Sequence, residues 1–407
     1  MRWLRFLVCL VLGLVMSLAI ACSQEATPPT PADEPSAVVE AEPTVAQPES
    51  PSSSAGPELP PETLAIVASA GAEGLYQPPR ADVRLMVISD LNGPYGSITY
   101  DPEVEKAMQL IPFWNPDLVV CSGDMVAGQD LTLTEEKMRA MWNGFDQYVA
   151  SKLRTMNLPY GFTVGNHDAS SALSINKTFL FQKERTITDE YWQKPEHASG
   201  VSFVDRYEFP FYYTFKQNDI FFLAWDGSSH HIPDDKLAWV ESALASEAAQ
   251  TAKMRVLLGH LPLYAVSVGR NEPGEVMENS DRLRELLERY TVHTYISGHH
   301  HAYYPGHKGD LQLLHMGILG SGPRPLIDSD LPPRKALTII DVDFDSADLT
   351  TYTTYDMQTL QVIENEELPR FLVGHNGMVL RRDVELAELQ PEELALCEQR
   401  LGAAQCS

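Results

Sequence analysis

The sequence predicts a mixed α/β protein with buried central sheets. Short apolar runs, most of them ended by Gly, Asp or His, alternate with amphipathic stretches along the folded part of the chain. Alternating strand-like and helix-like segments are typical of sheets covered by helices. The runs are largely apolar and do not alternate with polar residues, which favours strands buried on both faces.

The predicted elements follow from these runs in chain order. Buried strands are expected at 84–89, 118–122, 160–164, 255–258 and 292–297. Helices are expected at 103–110, 135–153, 235–245 and 281–290. Segments 212–215 and 220–225 form a predicted hairpin, and further strands are expected at 311–316, 337–344 and 349–355. Segment 169–207 has no clear period and is long for a connection, so we interpret it as a lid or binding loop.

The N-terminus has the order of an export signal. Arg2 and Arg5 precede an apolar run over 6–20, which small residues and Cys22 follow. Segment 18–22 resembles a bacterial lipobox, which implies a signal peptide over 1–22 and a lipidated Cys22. The alternative is a plain secretory signal that is cleaved elsewhere. A lipid anchor with more than one acyl chain would hold the protein stably at the cell envelope, on the periplasmic face or the cell surface, outside the cytoplasm.

Three further segments follow the signal. Residues 23–80 are interpreted as a disordered tether rich in Pro, Glu, Ala and Ser, because the stretch up to residue 61 has no aromatic or basic residue with which to build a core. The folded domain is placed at 81–356 and a C-terminal extension at 357–407. Cys397 and Cys406 are expected to form a disulfide, with two free thiols as the alternative. Cys121 lies in an apolar run and is interpreted as a buried core thiol.

Composition and missing motifs exclude several functions. The chain has 30 Lys plus Arg against 56 Asp plus Glu, a formal net charge of −26, which argues against nucleic-acid binding. An acidic chain can still bind phosphate when bound metal ions supply positive charge. The sequence contains no Gly-x-Ser-x-Gly, no Gly-Lys pair and no Gly-x-Gly-x-x-Gly, so serine hydrolase, nucleotide-switch and dinucleotide functions have no support.

Residues that can bind metal follow five of the buried runs. These ends are Asp90-Leu91-Asn92, Gly123-Asp124, Gly165-Asn166-His167-Asp168, Gly259-His260 and Gly298-His299-His300-His301. Ligands of α/β sheets collect beyond the carboxyl ends of strands, so we expect these side chains to converge. Carboxylate, amide and imidazole donors suit Mn, Fe, Zn or Mg, and so many donors exceed the need of one ion. Two ions that share a carboxylate would use them all.

The order of these motifs resembles the calcineurin-like metallophosphoesterases over residues 84–344. Segments 298–303 and 260–264 are most similar to the purple-acid-phosphatase branch. The resemblance implies a four-layer α-β-β-α sandwich of two mixed sheets and a dinuclear centre of two divalent or trivalent ions. It also implies hydrolysis of phosphate mono- or diesters by a metal-bridging hydroxide.

The resemblance assigns a role to each matched residue. Asp124 would bridge the ions, Asp90 and His301 would bind the first, and Asn166, His260 and His299 would bind the second. His167 would stabilise charge on the phosphoryl group or protonate the leaving oxygen, and Asp168 would orient His167. His300 should face away from the ions. Arg324 could hold a phosphate oxygen, although a surface position is the preferred interpretation.

Asn92 is the departure from the family pattern. The family has a histidine ligand at this position, and the tyrosine with which purple acid phosphatases replace it corresponds here to Ala127. Asn92 therefore either binds the first ion through its amide oxygen or leaves a water-filled position. The departure keeps an alternative function open: a non-catalytic or weakly active surface protein that binds a phosphorylated ligand or partner.

Overall fold

The computed structural model describes residues 58–406. The predicted signal peptide, Cys22 and the tether up to residue 57 lie outside the described residues. The described part contains strands β1 Val83–Ile88, β2 Leu118–Cys121, β3 Tyr160–Phe162, β4 Phe203–Glu208, β5 Tyr212–Gln217, β6 Ile220–Ala224, β7 Met254–Leu258, β8 Thr294–Ser297, β9 Tyr304–Lys308, β10 Leu311–His315, β11 Ala336–Val342, β12 Thr350–Asp356, β13 Phe371–Gly374 and β14 Gly377–Arg381. Every strand predicted from the sequence is present among them.

Ten α-helices alternate with these strands along the described part of the chain. They are α1 Pro61–Ser69, α2 Pro102–Trp114, α3 Glu135–Phe145, α4 Ser151–Thr155, α5 Asn166–Ala169, α6 Gln182–Trp192, α7 Asp234–Leu244, α8 Glu247–Gln250, α9 Ser280–Arg289 and α10 Pro391–Leu401. The helix predicted at 135–153 corresponds to α3 and α4, which a π-helical turn at Asp146–Ala150 joins. The other three predicted helices correspond to α2, α7 and α9.

The strands form two mixed sheets. The five-stranded sheet has the order β12-β11-β1-β2-β3, and the nine-stranded sheet has the order β13-β14-β9-β10-β8-β7-β6-β5-β4. In the first sheet β1, β2 and β3 are parallel and β11 is antiparallel to β1. In the second, β6, β7, β8 and β10 are parallel neighbours. The predicted mixed α/β class with two mixed sheets is confirmed.

The parallel register places the chemical motifs at corresponding strand ends. Ile88 pairs with Cys121 and Cys121 pairs with Phe162, so β1, β2 and β3 end side by side. Leu258 pairs with Ile296 in the other sheet, so β7 and β8 also end together. The two edges are in contact: the N–H of His299, after β8, donates to Oδ1 of Asp90, after β1, at 3.1 Å. The segments after these five strands therefore face one another.

Residues 58–80 are ordered, so the tether prediction is wrong for this part. Helix α1 begins at Pro61, and the buried Thr63 hydroxyl donates to the carbonyl of Gln109 in α2 at 2.7 Å. Leu75 is also buried. The tether was predicted from the composition of the whole segment 23–80, in which Pro, Glu, Ala and Ser predominate. The apolar run at 64–68 was overlooked, and it lies in the helix that packs against the domain.

Segment 169–207, interpreted from the sequence as a lid or binding loop, includes a packed helix. It contains α6, whose aromatic residues enter the core: the Trp192 and Phe162 ring centroids are 4.0 Å apart, and those of Tyr191 and Trp142 are 4.6 Å apart. Burial of large aromatic rings stabilises this helix strongly. The segment nevertheless contributes Ser170 and Ala172 to the cavity described below.

The C-terminal segment continues the nine-stranded sheet. Strand β14 pairs with β9 through Leu380 and His307, so the sheet extends well beyond the predicted domain limit at residue 356. The two-residue turn at His375 and Asn376 joins β13 to β14. A disulfide joins Cys397 to Cys406, as predicted. Within residues 58–406, no helix has the length and apolar character that crossing a bilayer requires.

Candidate metal centre

Four of the predicted ligands have left-handed backbone conformations. The φ angles are 48° at Asp90, 56° at Asp124, 62° at His299 and 53° at His301. Residues with a Cβ adopt this region uncommonly, because Cβ approaches the following carbonyl oxygen. Such strain concentrates at functional sites, where the surrounding structure holds it in place. At these strand ends it turns four side chains out of the strand direction.

The first ligand group consists of Asp90, Asp124 and His301. Their donor atoms all lie within 4.8 Å of one another, and Nε2 of His301 is 3.2 Å from Oδ1 of Asp90. All three residues are buried. Two carboxylates and an imidazole in one buried place form a set that a divalent cation can neutralise.

Three buried atoms at this place have no hydrogen-bond partner. They are Oδ1 of Asn92, Oδ2 of Asp124 and Nε2 of His301. Leaving a buried polar atom without a partner costs about 1–3 kcal/mol, so native structures rarely do so without a reason. Each of the three belongs to a residue predicted to bind metal. A cation would supply the missing partner of the Asp124 and His301 atoms, which belong to the first ligand group.

The second ligand group consists of Asn166, His260 and His299. Oδ1 of Asn166 is 2.8 Å from Nε2 of His260 and 2.9 Å from Nδ1 of His299. The Asn166 amide orientation is fixed, because its Nδ2 donates to Oε1 of Gln129 at 2.7 Å. Nε2 of His260 is also 3.3 Å from Oδ2 of Asp124. Asp124 therefore contacts both groups.

The ring orientations leave the inward nitrogens available as ligands. Nδ1 of His260 donates to the carbonyl of Ser122 at 2.8 Å, and Nε2 of His299 donates to Oε2 of Glu275 at 2.8 Å. In the neutral rings, the opposite nitrogens then present lone pairs to the amide oxygen of Asn166. Lone pairs that face each other at this distance need a cation or a proton between them. Metal-binding histidines typically donate their other ring N–H to a carbonyl or carboxylate oxygen, as His260 and His299 do here.

His301 has the same arrangement as His260 and His299: its Nδ1 donates to the carbonyl of Gly322 at 3.0 Å, which leaves Nε2 available as a ligand.

Gly123 lies in close contact with the imidazole of His260. Its φ is +100°, and a Cβ there would lie 2.7 Å from Nδ1 of His260. Only glycine fits this position, because any side chain would displace the imidazole.

Buried charges shift the proton equilibria of the centre. Burial alone would raise the pKa of Asp124, but the positive charges of His260 and His167 outweigh it and lower that pKa. Burial alone would lower the pKa of His260, but the Asp124 carboxylate raises it to about 9. A proton on Nε2 of His260 thus takes the position where a metal ion would bind. Burial and the charge of Arg270 lower the pKa of His299.

His167 stands apart from both ligand groups. Its Nδ1 donates to the carbonyl of Gly128 at 2.9 Å, and its Nε2 is 3.9 Å from Oδ2 of Asp124. The exposed Tyr95 packs beside it, with ring centroids 5.2 Å apart. The imidazole is partly exposed in the cavity. It is therefore positioned to exchange a proton with a bound molecule.

The predicted role of Asp168 is wrong. Its carboxylate accepts the backbone N–H groups of Val126 at 2.9 Å and Gly165 at 2.8 Å, whereas the Gly128 carbonyl orients His167. Asp168 thus joins the turns that follow β2 and β3. Burial and the charge of Asp124 raise the pKa of Asp168 to about 8. The side chains of His167 and Asp168 point in different directions because successive residues of a helix, here α5, project from different faces.

The remaining expectations have mixed outcomes. His300 is fully buried and faces the protein, since its Nδ1 accepts the N–H of Val266 and its Nε2 donates to the carbonyl of Glu275. Cys121 is buried and burial raises its pKa, as expected for a core thiol. Arg324 is half-buried and lines the cavity, so the preferred surface position is wrong.

A cavity of 320 Å³ opens above the centre and contains residues that the sequence motifs did not reveal. Arg270, Glu275 and Arg324 lie on its wall. Nη1 of Arg270 is 2.9 Å from Oε2 of Glu275, and 2.9 and 2.6 Å from the two ring nitrogens of His299. A position close to both nitrogens lies over the ring face and on neither lone-pair axis. Arg270 and Glu275 come from a loop without motifs, so the sequence carried no signal for them, whereas Arg324 was already a candidate for phosphate binding.

Comparison with known proteins agrees with this fold. Residues 83–303 match the model of the calcineurin-like phosphoesterase family. That span covers more than half of the chain, and the chain therefore belongs to this family, which is metal-dependent. No curated protein matches the sequence of the chain.

Solved structures share the fold at low sequence identity. A purple acid phosphatase, PPD1, from seeds of yellow lupin (Lupinus luteus) is 15% identical, with a TM-score of 0.50 over 72% of this chain and 54% of that chain. This chain thus spans about half the length of the lupin protein. GAP50, an anchor in the inner membrane complex of Plasmodium, is 15% identical, with a TM-score of 0.46 over 69% of this chain and 87% of that one. At 15% identity, the lupin structure supports the fold alone.

Proposed function

We propose that this chain is a metal-dependent hydrolase of phosphate mono- or diesters that acts outside the cytoplasm. The observation that carries the proposal is the meeting of two ligand groups at Asp124, whose Oδ2 is buried, has no hydrogen-bond partner and lies 3.3 Å from Nε2 of His260. When bound, a pair of cations would neutralise phosphate oxygens and lower the pKa of a shared water molecule.

The residues of the chain divide the work of binding these ions. Asp90, Asn92 and His301 would hold the first ion and Asn166, His260 and His299 the second, with Asp124 between them. Ser122, Glu275 and Gly322 keep the three imidazoles in the tautomers that direct a lone pair inward. Mn²⁺ and Mg²⁺ accept an amide oxygen such as that of Asn92 more readily than Zn²⁺ does.

His167 would protonate the leaving group from Nε2. Its Nδ1 proton is committed to Gly128, so Nε2 is the nitrogen that can serve the cavity. A positioned acid of this kind is useful because the alkoxide of an ester leaves poorly without a proton. Arg324 would bind a phosphate oxygen, which is supported by its place in the cavity wall and by a buried Nε without a partner.

No protein nucleophile is required. Cys121, the one free cysteine of the described residues, is buried, and burial raises the pKa of its thiol. A thiol of raised pKa is a poor nucleophile. Direct attack by water on phosphorus is consistent with this arrangement.

Replacement of Asp124 tests the proposal. With p-nitrophenyl phosphate and bis(p-nitrophenyl) phosphate as substrates and Mn, Fe, Zn or Mg supplied separately, Asp124→Ala should lose at least about a hundredfold in kcat/KM. Asp219→Ala is the matched control, because Asp219 lies exposed on the turn between β5 and β6. Undiminished turnover by Asp124→Ala would refute the proposal.

The alternative is a weakly active or non-catalytic protein that binds a phosphorylated ligand, and Asn92 favours it. The substrate panel decides between the two. Turnover with any metal supports hydrolysis. Calorimetric binding of inorganic phosphate without turnover on the whole panel supports the alternative.

The proposed location rests on the lipobox-like segment 18–22 and on the Cys397–Cys406 disulfide. Disulfides persist chiefly in oxidising compartments outside the cytoplasm. Mass spectrometry of the mature protein should find a lipidated Cys22 at the N-terminus. An unmodified peptide that contains Cys22 would contradict the anchor.

A further inference from the structure

A second cavity adjoins the one above the metal centre. It measures 490 Å³ and shares Ala172, Ser229 and His230 with the 320 Å³ cavity. Its size is within the range of about 300–1,000 Å³ that is usual for small-molecule sites. The two spaces meet at the three shared residues, so a molecule held at the metal centre can extend into the second cavity.

One wall of the second cavity is a short hairpin-like loop, residues 171–181. Its strands are joined by hydrogen bonds from the N–H of Leu180 to the carbonyl of Ala172 and from the N–H of Ser174 to the carbonyl of Thr178, both 2.8 Å long. The base is fixed to the segment after β6, because the N–H of Ser171 donates to Oγ of Ser228 at 2.9 Å. The loop is therefore a formed wall.

This wall presents apolar side chains to solvent. Leu173 is 54% exposed and Phe179 is 37% exposed, and both line the cavity. Arg185 holds the Phe179 ring, with its guanidinium carbon 4.2 Å from the ring centroid. Tyr212 and Pro233 add further carbon surface. Exposed apolar side chains gathered around a concave space favour a ligand that covers them.

The charged side chains of the cavity are already paired with one another. The pairs are Arg185 with Asp226 at 2.8 Å, Lys236 with Glu208 at 2.6 Å, and Glu278 with His230 at 3.1 Å and His231 at 3.0 Å. A ligand rich in hydroxyl groups would have to compete with these pairs for its hydrogen bonds. A hydrocarbon group needs none and gains from covering the apolar wall.

We propose, on the basis of the function proposed above, that the second cavity binds the organic group of the phosphate ester and that this group is an alkyl or aryl hydrocarbon. The phosphate would lie at the metal centre, and the ester oxygen would lie near His167 and the shared residues. The substrates would then be phosphate esters of apolar alcohols or phenols, in preference to those of sugars.

Binding of alkylphosphonates tests this proposal without requiring turnover, because their carbon–phosphorus bond is not hydrolysed. Calorimetry on the full chain with Mn²⁺ should show Kd falling about two- to fourfold for each methylene from ethyl- to butyl- to hexylphosphonate. The kcat/KM values of the corresponding alkyl phosphates should rise in parallel, and hexyl phosphate should exceed glucose 6-phosphate. A Kd that does not depend on chain length would overturn the proposal.

Variants of the loop supply the matched comparison. Leu173→Ser and Phe179→Ser should flatten the dependence of Kd on chain length and leave the Kd of ethylphosphonate nearly unchanged. Ile175→Ser is the control, because Ile175 is 100% exposed on the same loop and does not line the cavity. An equal effect of Ile175→Ser would contradict the assignment. Length-dependent binding without any turnover would support the cavity and reject the hydrolysis.

Discussion

Removal of the His167 imidazole should slow hydrolysis in a way that depends on the leaving group. The hydrogen bond from Nδ1 to the Gly128 carbonyl, 2.9 Å long, leaves Nε2 facing the cavity. General acid catalysis contributes about 10²–10⁴ in rate, which corresponds to about 3–5 kcal/mol of transition-state stabilisation. The side chain is only 12% exposed and serves the buried Gly128 carbonyl, so its removal should also lower the free energy of unfolding by about 1–3 kcal/mol.

The assay compares kcat/KM of the wild type and His167→Ala at saturating metal. Phenyl phosphate should lose about 10²–10³, because phenoxide needs a proton to leave, whereas p-nitrophenyl phosphate should lose only about tenfold. His375→Ala is the control, since His375 lies outside the lining of the cavity above the metal centre. Equal losses on the two esters would refute the role of proton donor, and an undiminished rate would remove His167 from catalysis.

Three further substitutions test neighbouring parts of the structure. Asp168→Asn leaves one backbone N–H without its acceptor and should lower the free energy of unfolding in urea by about 1–3 kcal/mol. The kcat at saturating metal should be preserved, and a fall in kcat as large as that of His167→Ala would show that Asp168 does orient His167. Burial raises the pKa of Glu184 from 4.5 to about 7, so the folded state binds more protons between these values and wild-type stability falls as pH rises through them. Wild type should lose about 1–3 kcal/mol of unfolding free energy between pH 5 and pH 8, and Glu184→Gln should not; urea unfolding at the two pH values measures this, and an equal loss in both proteins would contradict it. Arg324→Gln should raise KM about tenfold with little change in kcat, and an unchanged KM would show that Arg324 does not bind the phosphate group of the substrate.

The ligand positions could be predicted because each depends on a short stretch of sequence. A buried apolar run that ends in Asp or His places that residue at a strand end, and parallel pairing then brings the ends together. Asp90 follows β1 and His299 follows β8, and the N–H of His299 donates to Oδ1 of Asp90 at 3.1 Å although the two residues are 209 positions apart in the sequence.

Long-range packing explains where the sequence prediction was wrong. Helix α6 lacks a clear apolar period because it buries polar as well as apolar side chains. Trp192 stacks on Phe162, whereas Glu184 accepts the backbone N–H of Gln129. Such partners are distant in the chain and cannot be read from local composition. Helix α1 was missed for the same reason, since its contact is with Gln109.

The supporting residues of the centre were also beyond prediction. Glu275 orients His299, and Gly128 orients His167 through a backbone carbonyl. A backbone carbonyl has no sequence signature. Arg270 lies on an irregular loop, where nothing in the local pattern distinguishes a cavity wall from a surface position. Arg324 was a candidate for phosphate binding, but for the same reason the surface position was preferred.

The number of metal ions per chain tests the central claim most directly, namely that two ligand groups share Asp124. Elemental analysis of the full chain, equilibrated with Mn²⁺ and freed of excess metal, should give two ions per chain. Loss of one group by His301→Ala or by His260→Ala should give one ion in each case. A wild-type stoichiometry of one or less with Mn, Fe, Zn and Mg alike would contradict the two-ion centre.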